Sequence, residues 1–150
     1  MPLSGDHQDA GMGIAVGPGN VVYVASQLDA VLAVRRFRPD GTLDLTWGDA
    51  GTASIPKPQM VSPDGVDIQG MVVQKDGRPV VLASLGGAAL ARFTLEGKPD
   101  PTFGNQGVVL LPFPDQAIAT QVAVDPDGML LVGGGYGSSF NETSIMRLWY

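Results

Sequence analysis

One phrase of seventeen residues is written twice in this chain, and nothing else in the sequence constrains the fold as strongly. Residues 35–51 read RRFRPDGTLDLTWGDAG and residues 91–107 read ARFTLEGKPDPTFGNQG. Aligned without a gap, Arg36, Phe37, Gly41, Asp44, Thr46, Gly48 and Gly51 recur as Arg92, Phe93, Gly97, Asp100, Thr102, Gly104 and Gly107. Self-similarity at a fixed period marks a structural unit that is copied and stacked, because one copy cannot bury its own apolar faces.

A second phrase recurs upstream of the first: GIAVGPGNVVYVAS (13–26), GMVVQKDGRPVVLAS (70–84) and TQVAVDPDGMLLVGG (120–134). Each holds two apolar runs around a short Gly-containing turn, the pattern of a tight β-hairpin. The second run of each is almost continuously apolar, which suits a strand buried on both faces. A third run, LAVRRF, ALARF and SIMRLWY, carries an arginine each time, and Arg36, Arg92 and Arg147 lie 56 and 55 residues apart. A fourth run follows the Gly-rich turn in the first two units, GTASIP (51–56) and GVVLLPF (107–113).

Four short antiparallel strands in roughly 55 residues, with no helix, is the arithmetic of a β-propeller blade. A sandwich or barrel needs no internal repeat. The sequence therefore predicts an all-β, propeller-like array of about three blades over one domain, residues 1–150: about 11–56, about 69–113 and about 119–150, the last lacking its fourth strand. The wording ARF…G…DPTFGNQGVV, followed by A…VDPDGMLLVGG, resembles the delta-60 repeat, a bacterial family of propeller-type tandem repeats. The resemblance covers essentially the whole chain and is strongest over residues 88–134. In the first unit Leu45 stands for the motif proline and Trp47 for its phenylalanine. The resemblance implies a fold and a secreted or cell-surface setting, but no catalytic residues.

Three blades fall short of the four to eight that close a ring. MPL at the start reads as the tail of a fourth strand, and Tyr150 follows a third strand directly. The expectation is that the ring closes by oligomerisation, most simply as a homodimer of two three-blade arcs, or with further parts of a longer chain. Trp149 and Tyr150, on the edge strand, are expected at that interface.

Composition narrows the partners. A formal charge of −6, without a basic stripe, opposes binding to nucleic acid or an anionic membrane. No apolar run is long enough for a membrane span. The N-terminal MPLSGDHQDA lacks the basic and apolar regions of a signal peptide. The absence of cysteine removes disulfides, thiol nucleophiles and thiolate metal sites.

Most residue types that carry chemistry recur with the blade, and recurrence points to construction. Each repeated arginine is expected to pair with an acidic residue of the following turn, such as Asp44 or Asp100. Trp47 and Phe103 are expected as plugs between neighbouring blades. The PDG and KDG steps read as turn chemistry, since Asp bonds local backbone and Gly accepts positive φ. The glycines of GGGYG, outside any phosphate-loop motif, read as permitting a bulge and close approach. His7, alone in a Gly/Asp-rich segment with no nucleophile elbow nearby, reads as solvent-exposed.

The exception is the long connection after the second strand of the third unit. Tyr136, Phe140 and Asn141 there are candidate binding residues for a small molecule or glycan, because extended loops are where a repeat scaffold places its sites. Asn141-Glu142-Thr143 formally fits the glycosylation acceptor pattern, a match that reads as accidental in a bacterial-type repeat. Asp67, Asp125 and Glu142 are candidate catalytic carboxylates, alone or around Ca²⁺. The expected function is a non-catalytic scaffold or binding module without a required cofactor. A carboxylate- or Ca²⁺-assisted hydrolase at a ring centre and a lectin-like sugar binder are the alternatives.

Overall fold

The computed structural model describes residues 12–56, 66–112, 118–136 and 142–149, the side chains of Tyr136 and Glu142 excepted. These residues form three antiparallel sheets. Sheet one runs in the order β1 (Met12–Val16), β2 (Val22–Leu28), β3 (Val31–Phe37) and β4 (Thr52–Ser54). Sheet two repeats it with β5 (Asp67–Val73), β6 (Pro79–Ser84), β7 (Ala88–Arg92) and β8 (Val108–Leu110). Sheet three has β9 (Ile118–Val124), β10 (Leu130–Tyr136) and β11 (Glu142–Leu148). A 3-10 turn at Pro18–Asn20 interrupts the strands, and no helix among the described residues is long and apolar enough to cross a membrane.

Tight turns set the registers. At Asp76-Gly77 the Gly77 N–H donates to the Gln74 carbonyl and the Gln74 N–H to the Arg78 carbonyl, both at 2.9 Å. The same pair of bonds recurs at 38–42, 94–98 and 125–129. The glycine in each takes a φ between +80° and +91°, a region that L side chains avoid, so Gly41, Gly77, Gly97 and Gly128 are conformational requirements; the PDG step at 63–65 lies outside the described residues. The bulge expected of the Gly-rich segment is also present. The β9–β10 register shifts between Gly133 and Gly134, and a Cβ on Gly134 would lie 2.3 Å from the Ile118 carbonyl oxygen.

Because side chains alternate between faces, the register of the repeated arginine defines a front and a back for every sheet. Arg36 pairs with Tyr23, Arg92 with Val80, and Arg147 with Leu131. On the front of sheet one stand Gly13, Ala15, Tyr23, Ala25 and Val34, and they pack on the back of sheet two, Ile68, Met71, Val81, Ala83 and Ala91. The front of sheet two, Val80, Leu82, Leu90 and Val72, packs on the back of sheet three, Val122, Val124, Leu130 and Val132. Stacking is thus front to back throughout.

Strand β6 shows why a continuous apolar run is needed in the middle of such a stack. Val80, Val81, Leu82 and Ala83 are each no more than 1% exposed, and they feed the two cores alternately. A glycine admits the neighbouring sheet at each junction. A Cβ at Gly13 would lie 3.0 Å from Met71 Cβ, and one at Gly70 would lie 3.5 Å from Val122 Cγ1. The closest approach between sheets runs along the first strands, β1 on β5 and β5 on β9.

Candidate functional site

The repeated phrase builds one compact turn, and its two copies match bond for bond. In sheet one the Asp44 N–H donates to the Arg36 carbonyl at 2.9 Å, and the Arg36 N–H to the Gly51 carbonyl at 3.1 Å. In sheet two the Asp100 N–H reaches the Arg92 carbonyl at 3.0 Å, and the Arg92 N–H the Gly107 carbonyl at 2.8 Å. Threonine closes each aspartate: the hydroxyls of Thr46 and Thr102 donate to Oδ1 at 2.6 and 2.7 Å, and their N–H groups at 3.2 and 2.9 Å. The D-x-T spacing brings hydroxyl and amide onto one carboxylate oxygen and leaves Oδ2 for the arginine.

The two ion pairs differ in quality. Arg92 Nε donates to Asp100 Oδ2 at 2.8 Å, with both side chains at most 5% exposed. Arg92 also donates to Gln74 Oε1 and Thr102 Oγ1, both at 3.3 Å. Arg36 Nε stands 3.4 Å from Asp44 Oδ2, its side chain 26% exposed, and Arg38 shares the carboxylate. For Asp100, burial pushes the carboxyl pKa up most strongly of any single influence. The Thr102 hydroxyl and amide, then Arg92 and Arg78, together outweigh it and hold the group below its ordinary value. Asp44 is held low chiefly by the Thr46 hydroxyl, against burial, with the Thr46 amide and the arginines adding to it.

The third arginine departs from expectation. Arg147 pairs with Asp125 at 2.6 Å and Asp127 at 3.1 Å, which belong to the hairpin turn preceding it in the chain rather than to a following turn. All three arginines nevertheless lie over an aromatic ring: Arg36 over Tyr23 at 5.9 Å, Arg92 over Phe103 at 4.4 Å and Arg147 over Trp149 at 5.4 Å.

Trp47 and Phe103, at most 1% exposed, fill the cores between sheets one and two and between sheets two and three. Trp47 meets Tyr23 edge-on at 5.5 Å, and the neighbouring Gly48 N–H donates to the Glu96 carbonyl of sheet two at 2.9 Å. Gly97 is the seat for this plug, since a Cβ there would lie 2.5 Å from Gly48 N.

Two of the candidate carboxylates, Asp67 and Asp125, stand at opposite ends of their sheets. Asp125 accepts the N–H groups of Asp127 and Met129 through Oδ1, both at 2.9 Å, while Oδ2 binds Arg147. Burial raises its pKa most, but the Met129 amide, Arg147 and the Asp127 amide bring it below the ordinary value. Asp67 opens β5, at the end of its sheet away from the five-residue turns, and accepts from Gln69 Nε2 at 2.7 Å. Glu142 opens β11 opposite Tyr136, and both side chains lie outside the described atoms. Phe140, Asn141, Tyr150 and His7 lie outside the described residues. Trp149 is 72% exposed beside Arg147. Among the described residues no group of three or more His, Asp or Glu side chains is placed to hold a metal.

No protein-family model matches the chain, and no curated protein matches it. Among solved structures it is similar to a protein of unknown function from Bacteroides caccae, at 12% identity with a TM-score of 0.50. The alignment covers 99% of this chain and 49% of that one, so the chain spans about half the length of its structural neighbour. At that identity the likeness concerns the fold alone.

Proposed function

We propose that the chain is a non-catalytic scaffold of the β-propeller kind, a stiff stack of delta-60-type blades that presents its loops to a ligand or protein partner. Front-to-back stacking supports the blade reading, because blades around an axis meet in that sense. So does the close approach of the first strands, which in a propeller line the axis.

The observation that carries the scaffold reading is the fate of the recurring polar side chains. Arg36, Arg92 and Arg147 with Asp44, Asp100 and Asp125 all end on partners within their own sheets and turns. Residues committed to ion pairs and turn bonds serve rigidity, which is what a binding scaffold requires of its frame.

The test is a thermal-shift series with and without Ca²⁺ and chelator, with a glycan array and a panel of ester, lactone and glycoside substrates. The scaffold reading expects no stabilisation by Ca²⁺, no glycan binding and no turnover. A site saturated at a hundred times its Kd would add about 2.7 kcal/mol to stability. Such a gain, lost on chelation, would replace the scaffold with a Ca²⁺-assisted hydrolase, and glycan binding would replace it with a lectin.

A further inference from the structure

We infer that two copies of this chain dock head to tail, the front of sheet three in each seating on the back of sheet one in the other. The inference rests on reading the sheets as blades. Its occupant follows from repetition, because the uncovered strand faces are the counterparts of strand faces covered inside the chain, although three-stranded sheet three brings no equivalent of the Trp47 and Phe103 turns from residues 1–150.

Ile14 occupies the register position of Met71 and Val122. Those two side chains sit over Gly13 and Gly70 of the preceding sheet, whereas Ile14 is 69% exposed, between Met12 and Val16 at 70% and 64%. Gly41 occupies the position of Gly97. A Cβ at Gly97 would strike Trp47 and Gly48, while one at Gly41 would meet nothing within 4 Å. The back of sheet one is therefore a seat of the same make as the back of sheet two, without a neighbouring sheet among the described residues.

The front of sheet three supplies the complementary surface. Ile145 is 76% exposed and Ile118 45%. Gln121 replaces the receiving glycines Gly13 and Gly70, but beside it Gly133 replaces Ala25 and Leu82, with nothing within 4 Å of a Cβ. The hollow that would receive Ile14 is shifted by one strand and retained.

Charge agrees. On the back of sheet one Arg35 stands where sheets two and three carry the apolar Ala91 and Met146, and its side chain makes no ion pair or hydrogen bond among the described residues. The front of sheet three carries Asp125 and the exposed Asp127 beside Arg147, at the same end of the sheets. Within the chain that end is bridged by the Lys75 ammonium donating to the Pro126 carbonyl of the next turn. Back-to-back docking would instead set Arg35 near its own copy and Ile14 knob on knob. A closed pair uses the heterologous contact twice about one two-fold axis.

Light scattering tests this directly. The wild type is expected at twice 15.6 kDa, independent of further concentration. Ile14→Asp and Ile145→Asp each place a carboxylate in one of the two opposed surfaces, and each raises the dimer Kd by at least about 100-fold. Mixed in equal amounts, the two variants form a heterodimer through the one contact that keeps both apolar surfaces. Both positions are exposed in the single chain, so the variants keep its circular dichroism. The inference is overturned by a monomeric wild type, by open-ended growth, or by dissociation in only one of the two variants. It is also overturned by a monomer that assembles solely with chain from outside residues 1–150. Small-angle scattering of the monomeric variants separates the two claims, because a profile of three fanned sheets keeps the blades even if docking fails.

Discussion

Replacing Asp100 with alanine removes the acceptor around which the second repeated turn is organised. Its carboxylate holds the Arg92 guanidinium at 2.8 Å and the hydroxyl and amide of Thr102 at 2.7 and 2.9 Å. Arg92 is 5% exposed in its side chain, so water cannot take the place of the lost charge. Breaking a buried pair by removing one partner costs about 3–5 kcal/mol. Gln74 and Thr102 still accept from the guanidinium, which favours the lower end, about 3 kcal/mol. With a urea m-value of about 2 kcal/mol/M, the midpoint of unfolding falls by about 1.5 M. Asp44→Ala is the internal reference. Its Arg36 is 26% exposed and 3.4 Å away, so the expected cost is about 1–2 kcal/mol from the turn hydrogen bonds. Circular dichroism in a urea series at neutral pH reads both. A cost for Asp100→Ala no greater than for Asp44→Ala would refute the claim that burial of the pair, rather than the turn sequence, sets its weight. Replacing Arg92 and Asp100 together with apolar residues of similar size should recover most of the loss.

Acid should unfold the protein by a route that these aspartates control. Asp44, Asp100 and Asp125 have folded pKa values below the ordinary carboxylate value, so the stability they contribute is complete above about pH 4 and is lost as pH falls through the folded values. The melting temperature is expected to drop below about pH 4, less steeply in Asp100→Ala, and a melting temperature that rose on acidification would contradict this. Gly97→Ala and Gly128→Ala separate conformation from contact. Both glycines have positive φ, +80° and +89°, but a Cβ at Gly97 meets Gly48 and Trp47 while one at Gly128 meets nothing within 4 Å. Gly128→Ala is expected to cost about 1–2 kcal/mol from its φ alone, with Gly97→Ala at least about twice that; thermal denaturation yielding equal costs would remove the plug-and-seat contact.

Much of the architecture was legible because punctuation and periodicity determine it locally. Glycine at positive φ fixes the turns, continuous apolarity fixes β6 as a buried strand, and D-x-T beside a repeated arginine fixes the two matching turns. The pairing of Arg147 was not legible, since Asp125 and Asp127 precede it by some twenty residues and meet it only through the β9–β10–β11 register. The faces were hidden for a related reason. Matching letters would align Ala25-Ser26 with Ala83-Ser84, but the strand register sets Ala25 against Leu82. A slip of one residue exchanges front and back, so polarity of stacking appears only once strands are paired. The carboxylates Asp67 and Asp125 looked alike as acidic residues near turns, yet opposite ends of their sheets hold them.

The central claim is that the sheets stack front to back, each glycine on the front of one sheet receiving a side chain from the back of the next. Nuclear Overhauser contacts in a labelled sample read this without any substitution. The account predicts contacts from the Gly13 α-protons to the Met71 side chain and from the Gly70 α-protons to the Val122 methyls. Contacts from Gly13 to front residues of sheet two, such as Val80 or Leu82, would contradict it.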